Sequence, residues 1–299
     1  MEAADALAPA PKRSAGRKLA GLFYGRPMAA VAALLSGPLT WLVVLYIGSL
    51  AVLMIAAFWS VDALSGELTR SFSFDNFQTL LDDKVYRTVA QRTVLIAAGV
   101  TLTDALLAFP VAFFMAKVAS PRSKAVLLVA VLMPLWSFYV VKAYAWRIIL
   151  SDGGVLNWVL DPFGISGPGL NGTFGAYMTF TYLWLPFMIL PIYAGLERIP
   201  NSLIAASEDL GAGPATTFRK VILPLAFPAV VAGSIFTFSL TLGDYITPQL
   251  VTSTQFIGNV IKNNIANNLP LASAYAVVPI LIMVVYLLVA RRLGAFEHL

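Results

Sequence analysis

Residues 205–224 read AASEDLGAGPATTFRKVILP, a polar stretch between two long hydrophobic runs, Phe174 to Gly195 and Leu225 to Leu242. Each run is long enough to cross the roughly 30 Å hydrocarbon core of a bilayer as a helix of about 20 residues. Gly211 and Gly213 divide the polar stretch into two helix-sized pieces. The pattern predicts a hinged pair of short helices at a membrane surface.

The composition is typical of an integral membrane protein, because 59% of residues are hydrophobic and 12% are charged, and the mean hydropathy is +0.80. Long apolar runs must be helical, since the bilayer contains no water to satisfy the backbone. The predicted fold class is therefore an all-α integral membrane protein with six transmembrane helices. The predicted spans are Pro38–Ser60, Thr93–Ala116, Ala125–Val141, Phe174–Gly195, Leu225–Leu242 and Leu271–Ala290.

The positions of lysine and arginine predict that both termini are cytoplasmic, because cytoplasmic segments are enriched in these residues. With that orientation most of the 20 basic residues lie on the inner side. These are Lys12, Arg13, Arg17, Lys18, Arg26, Lys117, Arg122, Lys124, Arg198, Arg219, Lys220, Arg291 and Arg292. Because the inner clusters already explain the net charge of +5, we expect no nucleic-acid partner.

The same topology predicts two parts of the chain. Residues 1–36 form a cytoplasmic amino-terminal segment, and residues 37–299 form the transmembrane domain. Within the second part, we predict an outer loop at 61–92 and a cytoplasmic loop at 197–224.

The sequence contains no cysteine and one histidine, His298, next to the carboxyl terminus. Disulfides, thiolate metal sites and thiol catalysis are thereby excluded. No G-x-S-x-G motif lies near a span, so we predict no catalytic residue, no metal site and no enzyme activity. An ion-coupled secondary transporter is an alternative, but the repeated halves and broken helices of such carriers are hardly visible here.

Inside the cytoplasmic loop, the first predicted helix runs from Leu203 to Leu210, and Gly211 is placed to end it in the left-handed conformation. Pro214 fits the first position of a second helix that continues to about Lys220. Two short helices at a sharp angle form a rigid projection, which a partner can push.

This loop resembles the EAA loop of permease subunits from ATP-binding cassette (ABC) importers, whose pattern is Glu-Ala-Ala, three residues, Gly, and later Ile-x-Leu-Pro. Here Ala205 stands where the pattern has Glu, and Glu208 and Asp209 are the neighbouring acidic residues. The resemblance implies that the loop couples the permease to an ATPase. The implied coupling residues are Ala205, Ala206, Ser207, Glu208, Asp209, Gly211, Pro214, Arg219 and Pro224.

Four further motifs resemble the spermidine/putrescine (PotB-like) permeases. They are Phe74-Asp75-Asn76-Phe77, Pro134-Leu135-Trp136, Ala143-Tyr144-Ala145-Trp146 and Leu242-Gly243-Asp244-Tyr245-Ile246-Thr247-Pro248. The resemblance extends from about Phe74 to Arg292 and implies a type I ABC importer permease in the bacterial inner membrane, with polyamines as substrate. Similar permeases handle opines, amino acids, thiamine or ferric ion, and these substrates remain alternatives.

The resemblance also implies the partners. They are a dimer of ATP-binding cassette ATPases that carries ATP and Mg²⁺, an extracytoplasmic substrate-binding protein, a second related permease subunit, and the lipid bilayer. Six spans are too few to enclose a pathway, so we expect a heterodimer of permeases. No cofactor is expected on this chain itself.

The residues predicted to lie near the substrate path are Asp104, Trp136, Asp244 and Tyr245. A carboxylate beside an aromatic ring suits an ammonium group through ion pairing and cation–π contact. Asp104 is in the second span, where charges are costly, and Thr101 and Thr103 leave a buried interhelical hydrogen bond as its alternative role. For Asp244 and Tyr245 the alternative is a place at the membrane interface.

Overall fold

The computed structural model describes residues 27–62 and 65–292 of the chain. The described chain divides between Ile55 and Ala56 into two compact units. Residues 1–26 of the predicted amino-terminal segment lie outside the described part, and so does His298.

The first unit is helical. Helix α1 spans Pro27–Trp41, a π-helical turn spans Leu42–Ile47, and α2 spans Gly48–Ala56, of which the last residue belongs to the second unit. The apolar stretch long enough to cross a membrane is Leu34–Ala56, so the predicted span Pro38–Ser60 lies slightly too late in the sequence. The reason is that Ser60 is already part of a strand.

The second unit contains a two-stranded antiparallel sheet, in which Ser60 pairs with Thr69 and Val61 with Leu68, and twelve α-helices among its described residues. The elements are β1 Ser60–Val61, β2 Leu68–Thr69, α3 Asp75–Asp82, α4 Lys84–Phe113, α5 Pro121–Trp136, α6 Tyr139–Leu150, α7 Val155–Leu160, α8 Thr173–Arg198, α9 Asn201–Asp209, α10 Pro214–Thr217, α11 Leu223–Gly243, α12 Ile246–Val251, α13 Ile257–Asn264 and α14 Leu269–Arg292. A π-helical turn, Phe114–Val118, follows α4, and another, Phe218–Ile222, joins α10 to α11.

In the described ranges five helical segments are long and apolar enough to cross a membrane, and six if the bent pair α5–α6 counts as one span. The prediction of an all-α membrane bundle is thus confirmed. Helices α4, α8 and α11 pack against one another at the centre of the second unit. Gly233 makes this close approach possible, because a Cβ atom there would lie 2.8 Å from Sδ and 3.2 Å from the carbonyl oxygen of Met188.

Helix α3 is tied to the chain that follows α2. The side-chain amide of Asn76 donates to the carbonyl oxygens of Ala57 at 2.9 Å and Trp59 at 2.7 Å. Phe74 and Phe77 contact the ring of Phe58 at centroid distances of 5.4 and 5.2 Å. The Phe-Asp-Asn-Phe motif therefore fixes the position of α3.

The third span is not straight, and its prediction as Ala125–Val141 is wrong. Helices α5 and α6 meet at an angle of 91° between Trp136 and Tyr139. A helix that ends inside a bundle leaves carbonyl groups without partners. Here the carbonyl of Pro134 accepts hydrogen bonds from Ser137 Oγ at 2.9 Å and from Lys142 Nζ at 3.0 Å, which stabilises the break.

The second short helix of the loop was predicted to end near Lys220, and this prediction is wrong. The helix continues without a break from Pro214 to Gly243. Pro224 lacks a backbone N–H, and its ring would clash with the carbonyl of Lys220 in a regular α-helix. The π-helical turn Phe218–Ile222 lies directly before Pro224 and widens the helix at that position. The helix of the fifth span therefore begins at Pro214, inside the predicted cytoplasmic loop, and not at Leu225.

Candidate functional site

Residues 201–217, called the hinged segment below, comprise α9, a tight turn and α10. Gly211 has a φ of +79°, which confirms the predicted left-handed conformation. Its N–H donates to the carbonyl of Glu208 at 2.8 Å, and the N–H of Ala212 donates to that of Ser207 at 3.1 Å. These two bonds form a Schellman motif, which satisfies the last carbonyls of α9. Pro214 begins α10, as predicted.

The outer surface of α9 is apolar along one stripe. Leu203, Ala206 and Leu210 follow one another at helical spacing, and all three are exposed, Leu210 to 89%. Amphipathic helices normally bury such a stripe, either in their own protein or in the groove of a partner. Asp209 lies beside it and is exposed too, whereas Glu208 is exposed on the face that lines a pocket with Lys117 and Phe218. The hinged segment thus presents an apolar stripe with one acidic residue at its border.

The other predicted coupling residues lie on or near this surface. Ala205, Pro214, Arg219 and Pro224 are exposed, whereas Ser207 is half-buried. The hydroxyl of Ser207 is 3.0 Å from that of Thr217 and links α9 to the start of the fifth span.

A second cluster surrounds Asp244 at the end of α11 and is called the Asp244 cluster. The Tyr139 hydroxyl donates to Asp244 Oδ2 and is 2.5 Å from Thr247 Oγ1. Asp244 Oδ1 accepts hydrogen bonds from the backbone N–H of Ile246 at 2.8 Å and Thr247 at 3.4 Å, so Asp244 also caps α12. The Tyr139 ring stacks on Trp184 with centroids 5.7 Å apart.

Helix α13 packs against the backbone of this cluster. The side-chain amide of Asn259 donates to the carbonyl of Tyr245 at 2.8 Å. Gly258 packs directly on the backbone, because a Cβ atom there would lie 2.9 Å from the carbonyl oxygen of Asp244. The Leu-Gly-Asp-Tyr-Ile-Thr-Pro motif is therefore held at a fixed distance from α13.

The structure places the four predicted path residues differently. Asp244 and Tyr245 are neighbours in the cluster, and Tyr245 is 40% exposed. Trp136 is 85% exposed at the end of α5, next to the break in the third span. Asp104 is completely buried in α4, and neither carboxylate oxygen has a hydrogen-bond partner among the described residues.

The alternative role of Asp104 in an interhelical hydrogen bond is wrong for this structure. Thr101 Oγ1 donates to the carbonyl of Ala97 at 2.7 Å, and Thr103 pairs with the hydroxyl of Tyr177. The predicted site did not include Tyr139 and Trp184. Packing between helices brings Tyr139 to Asp244 and Trp184 onto the Tyr139 ring, and the sequence alone does not reveal either contact.

A hinged projection between two apolar spans is the arrangement that the sequence resemblance implies for the membrane-spanning permease subunit of an ABC importer. Residues 93–296 match the family described as "Binding-protein-dependent transport system inner membrane component", and the chain belongs to this family. It is a multi-pass protein of the inner membrane and a transport component, not an enzyme.

Curated relatives support this membership. The chain is 42% identical over 306 aligned positions, covering 97% of both chains, to the "Inner membrane ABC transporter permease protein YdcU" of Escherichia coli K12. It is 31% identical over 227 positions, covering 74% of this chain and 79% of the relative, to the "Spermidine/putrescine transport system permease protein PotB" of Haemophilus influenzae.

Two solved structures share the fold. One belongs to a bacterial alginate ABC transporter in complex with an alginate pentasaccharide-bound periplasmic protein, with a TM-score of 0.71, 17% identity, and coverage of 91% of this chain and 96% of that chain. The other belongs to the methionine ABC transporter MetNI in an inward-facing conformation, with a TM-score of 0.52, 19% identity, and coverage of 70% and 96%.

Proposed function

We propose that this chain is a permease subunit of an importer for polyamines, which an extracytoplasmic binding protein delivers. The similarity to the PotB proteins of H. influenzae and E. coli supports this substrate class. Polyamines are flexible chains with several ammonium groups. A path for them needs carboxylates and aromatic faces, which compensate for the water that each ammonium group loses.

The Asp244 cluster supplies both kinds of group. An ionised carboxylate has about four acceptor positions, and the protein uses three of those on Asp244, which leaves one for a substrate ammonium. Tyr245 follows Asp244 directly in the sequence, and Trp136 ends the helix before the break that precedes Tyr139. Both present exposed aromatic rings. A cation–π contact contributes about 0.5–2 kcal/mol. Asp104 remains a predicted second carboxylate, which another conformation would have to uncover.

Substitution of Asp244 by asparagine tests this role. Asparagine caps helices as well as aspartate does, so Asp244→Asn removes the charge and keeps the cap on α12. We expect spermidine uptake in proteoliposomes with the cognate binding protein to fall about tenfold, the effect of losing one charge-assisted contact. Asp161→Asn, on an exposed connection, is the matched control. Uptake at the level of the control would contradict the role of Asp244.

The substrate class is tested by the same preparation of unmodified protein. Polyamines, an opine, amino acids, thiamine and ferric ion are offered separately with the cognate binding protein. Uptake of any of the others without polyamine uptake would overturn the polyamine assignment and keep the importer assignment.

We also propose that a partner ATPase drives transport, and this part of the proposal rests on the exposed stripe on α9. The hinged segment docks on a partner ATPase through Leu203, Ala206 and Leu210, with Asp209 at the border and Glu208 as a further predicted contact. ATP and Mg²⁺ bind to the ATPase, whose closure draws two such segments together and tilts the bundles as rigid bodies. Only the different affinities of ATP for the two states can supply this shift.

Docking is measured by cross-linking, for which the chain is well suited because it contains no cysteine. Leu210→Cys, labelled with benzophenone maleimide, should cross-link to the ATPase on illumination. Leu81→Cys is the control, since Leu81 is 68% exposed on α3 in the predicted outer loop. A membrane-impermeant maleimide applied to intact cells should label only Leu81→Cys, which also tests the proposed cytoplasmic location of both termini. A cross-link from residue 81 but not from residue 210 would refute the docking.

The second permease subunit is proposed to be a related but different chain. Phe138, at 83% exposure beside the break in the third span, is one of the large apolar side chains that such a subunit would cover. Native gel electrophoresis with and without the co-expressed partner measures the assembly. A stable homodimer that transports substrate would refute the heterodimer.

A further inference from the structure

Lys117 joins three helical elements at the end of the bundle that carries the hinged segment. It lies in the π-helical turn Phe114–Val118. Its Nζ atom donates to the carbonyl oxygen of Ile199 at 2.6 Å and to Oδ1 of Asn201 at 3.3 Å. Ile199 follows the last residue of α8, and Asn201 is the first residue of α9. One ammonium group therefore links the second span, the fourth span and the hinged segment.

The local backbone favours a hydrogen-bond donor with a positive charge at this position. Ile199 is buried, and the residue after it, Pro200, has no N–H to continue a helix. A buried carbonyl at a helix C-terminus needs a donor, and a lysine also interacts favourably with the negative end of the helix dipole. The bond to Asn201 then extends this interaction to the next helix.

The hinged segment has few other attachments to the bundle. A cavity of about 660 Å³ that is open to the surface lies beside α9, and Lys117, Asn201, Ile204, Glu208 and Phe218 are among its lining residues. Ile204 packs against the cluster of apolar side chains around Met188, and the hydroxyl of Ser207 meets that of Thr217. Among the described residues, Lys117 is the charged side chain of the bundle that bonds to α9.

We propose that Lys117 is a positioning residue that transmits movement of the hinged segment to the second and fourth spans together. The inference rests on the proposed docking of the hinged segment on an ATPase. When docking displaces α9, the cavity would let the helix tilt on its own. The bond from Lys117 to Asn201 and Ile199 resists this and forces the spans to follow.

Lys117→Met tests the inference, because methionine keeps the apolar stem and removes all three donors. In the complete reconstituted transporter, we expect the stimulation of ATP hydrolysis by spermidine-loaded binding protein to fall about tenfold. Lys117→Arg should restore it, since a guanidinium group can donate to both acceptors. Lys124→Met is the matched control, because Lys124 contacts only Glu197 and Tyr193 of α8 in the described chain. Its stimulation should match that of the unmodified protein.

A second variant, Asn201→Leu, tests the same hydrogen bond if Lys117→Met does not fold. Asn201 is exposed, so Asn201→Leu removes one acceptor of Lys117 without opening the core, and we expect a twofold to threefold loss, on the order of one weak hydrogen bond. Stimulation at the unmodified level in this variant would overturn the inference.

The cross-link from residue 210 separates the two proposals. If Lys117→Met still cross-links to the ATPase but has lost stimulation, the inference is supported. If it cross-links and is stimulated normally, Lys117 does not transmit the movement, although docking stands. A cross-link that is missing even with Lys117 in place would overturn the proposed function and this inference with it.

Discussion

The turn of the hinged segment allows a comparison of two identical substitutions, Gly211→Ala and Gly213→Ala. A Cβ atom at either glycine would meet nothing within 4 Å, so neither change introduces a clash. The two positions differ in backbone conformation. Gly211 has a φ of +79°, whereas Gly213 has a φ of −72° and a ψ of 163°, which any residue adopts.

The expected cost follows from this difference. An L-residue in the left-handed conformation costs about 1–2 kcal/mol, so Gly211→Ala strains the turn by that amount. The free segment can relax by changing its turn, whereas a docked segment cannot. The strain therefore appears as weaker docking, by up to roughly five- to thirty-fold. At Gly213 the same change is close to neutral or slightly stabilising, by about 0.4–1 kcal/mol.

The measurement is the concentration of ATPase that half-saturates binding to the purified permease in detergent, for both variants and the unmodified protein. Gly211→Pro extends the series. Proline cannot adopt the positive φ and removes the N–H that bonds to Glu208, so stimulated ATP hydrolysis should be abolished while membrane insertion stays intact. Equal affinities for the two alanine variants would show that the shape of the turn is irrelevant to docking and would refute the reasoning.

Two further predictions concern the bundle. Gly258→Ala places a methyl group 2.9 Å from the carbonyl oxygen of Asp244, a backbone atom that cannot move aside easily, so we expect a loss of about 1–3 kcal/mol in thermal unfolding measurements. An unchanged midpoint would show that α13 does not fix the Asp244 cluster. Asp104→Leu has the same branching as aspartate and removes a buried carboxyl without protein partners, so the unfolding midpoint should rise. A lower midpoint would mean that Asp104 has a partner in the native protein, and loss of uptake in a stabilised variant would support its predicted place on the path.

Features that depend on local chemistry were predictable from the sequence. The left-handed turn at Gly211 follows from the absence of a side chain, and the start of α10 at Pro214 follows from the fixed φ of proline. The apolar spans were recognisable because each must satisfy its backbone internally.

Features that depend on neighbouring helices were not predictable. Hydropathy reports how apolar a stretch is, not whether its helix is continuous. It therefore missed both the 91° break after Trp136 and the unbroken helix from Pro214 to Gly243. The contact between Tyr139 and Asp244 joins residues more than 100 positions apart, and one sequence without an alignment contains no record of such a pair. The buried carboxylate of Asp104 shows the same limit, because packing decides whether the neighbouring threonines can reach it, and here they bond elsewhere.

The π-helical turn Phe218–Ile222 has a consequence for how the chain tolerates insertions and deletions. Such a turn holds one residue more than the α-helix around it. Because the wider turn takes up this extra residue, deleting one residue there would leave a regular α-helix whose two ends keep nearly the same relative rotation. Deleting one residue from the regular helix α11 would instead rotate everything before it by about 100°. The apolar stripe of α9 would then point in another direction, although no residue of the stripe had changed. The π-helical turn is therefore the place in the fifth span where a change of one residue in length least alters the direction of the hinged segment.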